Sequence, residues 1–200
     1  MLAIEADGLS QAAGRSYNPR SENADRPRTM PATPEQLFAR LDALGIGHTT
    51  TRHAAAYTVE QGNEVWGTIP GVHCKNLFLK DAKARLWLVV APAERRVDLK
   101  TLPGKIGSAR LSFGSAALMA ETLGVTPGSV TPFGLINDAG RRVSLVVDAA
   151  LLAAEPLNFH PLVNTATTAV SREGFLAFLA ALRVEPMVVD FSADPATVVG

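Results

Sequence analysis

The chain has very little cysteine: Cys74 is the only one in 200 residues. An intrachain disulfide is therefore impossible, and no cysteine-based zinc site can form. Net charge is missing too, with 19 basic and 19 acidic residues. Bulk attraction alone does not bring such a protein to a polyanion. Long apolar runs are absent. The longest are Leu86–Pro92 and Val143–Ala154, the latter interrupted by Ser144 and Asp148. Neither can span a bilayer, and the N-terminus has no apolar segment of signal-peptide type. These absences predict a soluble, cytoplasmic protein with no membrane partner. His48, His53 and His73 lack metal-ligand spacing, so no metal and no cofactor is expected. Gly104-Lys105-Ile106-Gly107 is too short for a nucleotide P-loop.

What is present is an apolar fraction of 47%, enough for one core. The charge is also uneven. Between Lys75 and Arg110 lie nine basic residues and three acidic ones, a local +6 that the rest of the chain must balance with −6. One side of the fold is thus suited to a polyanion.

Residues 1–29 are polar, Pro-containing and aperiodic, and read as a disordered extension. Met30 sits just before a strong helix start, which suggests that the biological chain begins there. Mass spectrometry of native protein carrying earlier residues would overturn that expectation. Residues 30–191 read as a single domain and 192–200 as a loose tail.

Thr33-Pro34-Glu35-Gln36 has the form of a capping box with Pro at the first helical position. Leu37, Phe38, Leu41 and Leu44 then share one helical face. A strand is expected near His48–His53, and a second short helix from Thr58 toward Trp66. Lys75–Lys80 and Leu86–Ala91 read as strands paired across Asp81-Ala82-Lys83-Ala84. Leu111–Phe113 opens a βα unit whose helix, Ala116–Leu123, has Ser115 to cap it and Gly124 to end it. Thr131–Leu135 and Val143–Val147 read as strands around an Asn137–Gly140 turn. Asn158–Leu162 and Thr165–Val170 read as another pair. Ser171 caps a last helix, and Pro186–Asp190 gives a final strand. The order predicts an α/β fold with a mixed, strongly curved sheet and helices packed outside it.

Three segments carry the candidate chemistry. Gly71-Val72-His73-Cys74-Lys75-Asn76-Leu77-Phe78 places a Lys–Asn pair at the mouth of an apolar strand. Gly128-Ser129-Val130-Thr131-Pro132 is a loop in which Gly permits positive φ and Pro fixes the exit. Its consecutive N–H groups can face an anion or a carbonyl oxygen. Asn158-Phe159-His160-Pro161 is followed by Asn164 and Thr165, and Pro161 keeps His160 extended. Cys74 has His73 and Lys75 as neighbours. Adjacent strand residues point to opposite faces, so it reads as a core cysteine rather than a nucleophile. Trp66 and Trp87 read as core rather than as stacking platforms.

Together the three segments resemble the YbaK/prolyl-tRNA-synthetase-associated editing domains over roughly Thr33 to Phe191. The resemblance implies a barrel-like mixed sheet and a free-standing hydrolase that removes wrongly attached amino acids from tRNA. It implies Lys75, Gly128 and His160 as catalytic positions, with Asn76, Ser129, Val130, Thr131, Pro132, Asn164 and Thr165 around the substrate. The basic residues Lys80 and Arg110 are candidates for gripping the acceptor stem. The implied substrate is alanyl-tRNA(Pro), and prolyl-tRNA synthetase is the implied protein partner. A cysteine or serine ester, or a nucleic-acid-binding module without catalysis, are the alternatives.

Overall fold

The computed structural model describes residues 30–55 and 67–192. Helix α1 (Pro34–Ala43) begins with the expected capping box. Thr33 Oγ1 accepts from the Gln36 N–H at 3.3 Å, and Gln36 Oε1 accepts from the Thr33 N–H at 2.9 Å. Leu37 and Leu41 are fully buried. Strand β1 (His48–Arg52) follows. The helix expected from Thr58 to Trp66 lies outside the described residues.

Strands β2 (Val72–Asp81) and β3 (Leu86–Pro92) form the predicted antiparallel pair, with Lys75 opposite Ala91. Asp81 shapes their turn: its Oδ1 accepts from the Lys83 and Arg85 N–H groups, both at 2.9 Å. Helix α2 (Leu102–Ile106), strand β4 (Leu111–Phe113) and helix α3 (Ala116–Leu123) come next. Ser115 caps α3 and Gly124 ends it at φ 67°.

Thr131–Leu135 is not a strand. Pro132–Asn137 forms a 3-10 turn, with Pro at its first position and Thr131 Oγ1 accepting from the Phe133 N–H at 3.3 Å. Pro132 has no N–H for a ladder, and the Thr131 hydroxyl offers a local turn instead. Strand β5 (Val143–Asp148) therefore has no hairpin partner there and runs parallel to β3. A 3-10 turn (Ala149–Ala153), β6 (Leu157–Phe159), β7 (Ala166–Val170), α4 (Arg172–Ala181) and β8 (Met187–Val189) complete the described chain. β6 ends earlier than expected, because the chain turns at Pro161 and Leu162 adopts φ 67°. As expected, Ser171 caps α4 by accepting from the Gly174 N–H at 2.9 Å.

The strands form one mixed sheet in the order β1-β7-β6-β2-β3-β5-β8, with β4 also on β2. This is the expected α/β architecture. Among the described residues the sheet runs as an open path, with no ladder from β1 to β8. The larger core covers one face. There Phe133, Phe159, Phe175 and Phe178 meet with ring centroids 5.0–5.5 Å apart. A smaller core covers part of the other face, with Leu79, Trp87, Val89, Ala91, Val146 and Phe191. Trp87 is buried, as its sequence context predicts.

Candidate functional site

Strand β2 organises the site because its two faces carry different chemistry. Cys74 and Phe78 pack into the larger core, while Leu77 and Leu79 pack with the smaller one. The two-residue period therefore sets Asn76 on the larger-core side and Lys75 on the other. Burial lowers the Lys75 pKa from its ordinary value, with Glu94 acting to raise it and Arg95 to lower it.

One edge of β2 belongs to β3. The opposite edge holds β6 only at Val72 and His73, and β4 only from Leu79 to Asp81. Between them the edge is open to other groups, and there Asn76 Nδ2 donates to the Val130 carbonyl at 3.0 Å. The Gly128–Pro132 loop is thereby tied to the residue beside Lys75. Gly128 sits at φ 87°, and the Ser129 N–H donates to the Thr126 carbonyl at 3.0 Å. Ser129, Thr131 and Pro132 are buried and Val130 is half-buried, so packing holds the loop's shape.

His160 follows β6. Leu157 and Phe159 enter the larger core, which leaves Asn158 and the chain toward His160 on the Lys75 side. His160 Nδ1 lies 3.0 Å from the Ala166 carbonyl oxygen. A carbonyl only accepts, so Nδ1 carries the proton and Nε2 of the neutral ring is an acceptor. Burial lowers the His160 pKa. The Ala166 carbonyl opposes the shift, and His53 and His73 add to it.

His53, whose spacing excludes it as a metal ligand, stands beside His160. Its ring centroid is 6.4 Å from that of His160. Its Nδ1 lies 2.8 Å from the Ala54 carbonyl oxygen and its Nε2 2.9 Å from Thr167 Oγ1. By the same donor logic, Thr167 donates to His53 Nε2. Only the β1–β7 register brings these residues together, so no local pattern marks them. Asn164 and Thr165 occupy the β6–β7 turn, and the Thr165 carbonyl accepts from the His53 N–H at 2.9 Å. Thr168 instead pairs with Thr50 across the sheet at 2.8 Å.

Burial pushes the Cys74 thiol far up, away from thiolate chemistry. Lys80 and Arg110 line a common groove of about 510 Å³ with Ser112. Lys80 is on the opposite face of β2 from Lys75, about 16 Å along the strand at 3.3 Å per residue. Among the described residues no group of three or more His, Cys, Asp or Glu is placed to hold a metal ion. No helix there is long and apolar enough to cross a membrane.

The aminoacyl-tRNA editing domain model matches residues 53–178, a span that takes in Lys75, the Gly128–Pro132 loop, His160 and His53. The chain belongs to the aminoacyl-tRNA editing family. The prolyl-tRNA editing protein ProX of Acetoanaerobium sticklandii is 40% identical over 140 residues, covering 70% of this chain and 85% of that protein. The prolyl-tRNA synthetase associated domain-containing protein 1 of Mus musculus is 38% identical over 162 residues, 78% of this chain and 95% of that one. The crystal structure of a candidate trans-editing enzyme for prolyl tRNA synthetase shares the fold. Its TM-score is 0.60 at 18% identity, covering 78% of this chain and 94% of that one. Editing of an aminoacyl-tRNA is hydrolysis of its ester, so this editing domain is a hydrolase.

Proposed function

We propose that the protein deacylates mischarged tRNA in trans, with alanyl-tRNA(Pro) as its substrate and prolyl-tRNA synthetase as the source of the error. The similarity to ProX supports the prolyl system. The observation that carries the reading is the Asn76–Val130 hydrogen bond, which joins the Lys75 strand to the Gly128 loop.

The ester of an aminoacyl-tRNA is already activated, so the site needs position and charge more than a strong nucleophile. Lys75 binds the terminal phosphate or polarises the ester carbonyl. The Gly128–Pro132 loop offers the N–H groups of Gly128, Val130 and Thr131 to the developing oxyanion, since Ser129 donates to Thr126 and Pro132 has no N–H. Neutral His160 presents Nε2 to the ammonium of the amino acid, while Asn164 and Thr165 border the entrance. Water attacks the carbonyl carbon, and the free ribose hydroxyl of the terminal adenosine takes the water's proton and passes its own to the departing ribose oxygen. The acyl–oxygen bond breaks to release alanine and free tRNA. Proline is excluded by size, the stronger half of a sieve. The Lys80–Arg110 groove receives the acceptor stem.

The test is deacylation of alanyl-tRNA(Pro) and prolyl-tRNA(Pro) by wild type and Lys75→Ala. Wild type is expected to clear only the alanyl ester. Lys75→Ala is expected to slow it by about a hundredfold or more, the scale for losing one preorganised electrostatic group. An alanyl ester that survives wild type at the buffer rate ends the reading. Retained tRNA binding in that case would leave a nucleic-acid-binding module, and faster loss of cysteinyl or seryl esters would reassign the substrate.

A further inference from the structure

The turn that leaves β3 holds a charge arrangement beside Lys75. Lys75 pairs with Ala91, and Val90 pairs with Val147, so the next rung sets Asp148 beside Ala91. Ala91 and Val146 both pack in the smaller core. Asp148, two residues after Val146, therefore shares the Lys75 face. Lys75, Ala91 and Asp148 thus form one row across three strands. The single methyl of Ala91 leaves room above it for longer side chains.

Arg95 enters that space. Its N–H donates to the Pro92 carbonyl at 2.9 Å, and the Ala93 N–H donates to the His73 carbonyl at 2.8 Å. The His73 bond carries the β2–β3 ladder one rung past Pro92, and the Arg95–Pro92 bond closes a tight turn there. Arg95 Nε then lies 3.2 Å from Oδ2 of the fully buried Asp148. The N–H is not aligned with that oxygen, so the contact is an ion pair rather than a hydrogen bond. The Arg95 side chain keeps 31% of its surface exposed. Asp148 engages only Nε, and among the described residues no hydrogen bond holds the two terminal nitrogens, although the Arg95 charge also helps to lower the Asp190 pKa. The charge of Arg95 reaches Lys75, whose proton affinity it helps to lower.

We infer that Arg95 is a second anion-binding residue of the editing site, closing with Lys75 on a phosphate of the substrate's single-stranded 3′ end, with Asp148 as the buried anchor that aims it. The inference rests on the editing reading. An arginine fork fits phosphate oxygens in pairs, where a lysine supplies a point charge. A buried carboxylate that engages one nitrogen orients the fork without consuming it.

The experiment is steady-state deacylation of alanyl-tRNA(Pro) at a series of salt concentrations. It compares wild type, Arg95→Ala, Arg95→Gln, Arg95→Lys, Asp148→Asn and Lys75→Ala, with folding of each checked by circular dichroism. Arg95→Ala is expected to raise KM by about tenfold, the factor for one hydrogen bond to a charged group. Its kcat should change much less. The slope of log KM against log salt should fall by about 0.7, the value for one contact to a single strand. Arg95→Lys should keep the slope, and Asp148→Asn should raise KM with the slope retained. If Arg95→Ala does not fold, Arg95→Gln carries the same expectation with the side chain's length preserved. A folded Arg95 variant with unchanged KM and slope overturns the inference while loss of activity in Lys75→Ala leaves the editing reading standing. A wild type that leaves the ester intact sinks the editing reading, and this inference with it.

Discussion

His160 shows how much a single hydrogen bond decides. The Ala166 carbonyl accepts from the Nδ1–H, and burial lowers the pKa of the ring, so Nε2 is left to accept. Deacylation should therefore hold as pH falls to the ordinary histidine value of 6.5 and decline only below it. His160→Ala should lower kcat/KM by about tenfold to a hundredfold, the range for losing one hydrogen bond to a charged group. A pH profile of kcat/KM for wild type and variant checks both. A profile that breaks above 6.5 would remove His160 from the substrate. Cys74 gives the opposite prediction. Its thiol is buried and its proton affinity raised, so Cys74→Ser should leave the deacylation rate unchanged. In the native protein iodoacetamide should label it slowly.

At the scale of elements, the junction of β2 with β6 sets where Lys75 stands. Gly71 precedes β2 at φ 107°, and a Cβ there would meet the Pro156 carbonyl oxygen at 2.5 Å. Gly45 also has positive φ, but nothing lies within 4 Å of its added Cβ. Gly45→Ala should cost about 1 kcal/mol from backbone strain alone. Gly71→Ala should cost more and also reduce deacylation, because it pushes β2 away from β6. Urea unfolding together with activity separates the two, and equal costs would contradict the close approach. The caps were legible at this scale. Thr33, Ser115 and Ser171 each stand where an N-cap side chain is needed. Thr33→Ala should lower stability by about 1 kcal/mol in the same assay. The 132–137 turn was not legible as such, because Thr131-Pro132-Phe133 carries β-branched and aromatic residues that suit a strand. Its proline and the Thr131 hydroxyl decided for the turn.

For the whole molecule, two of the groups with lowered pKa values, Asp81 and His160, bear on acid stability. Burial pushes the Asp81 carboxyl up, but N–H donors from Arg85, Ala109 and Lys83 and the Arg85 guanidinium outweigh it and bring its pKa down to about 2. A group whose folded pKa is depressed stabilises above its unfolded pKa and loses that contribution as pH falls. Stability should thus drop first below 6.5, as the unfolded chain protonates His160 more readily than the folded one. It should drop again between 3.8 and about 2, as Asp81 loses its advantage. Thermal melts across pH check this, and His160→Ala should erase the first step alone. A wild-type melting temperature that is flat through the first window would contradict the burial of His160.

Local chemistry already marked the Lys–Asn strand, the Gly–Pro loop and the Phe-His-Pro segment, because turn residues, caps and strand periods act within a few positions. It also marked α1, α3 and α4, most strands, and the mixed α/β class. Strand neighbours were a different matter. β5 lies parallel to β3, and His53 meets Thr167 and His160, through registers between segments far apart in the chain. The Asn76–Val130 bond and the Lys75–Ala91–Asp148 row arise in the same way. Those contacts depend on how sheet faces alternate and which edges remain open, and only the assembled sheet determines that.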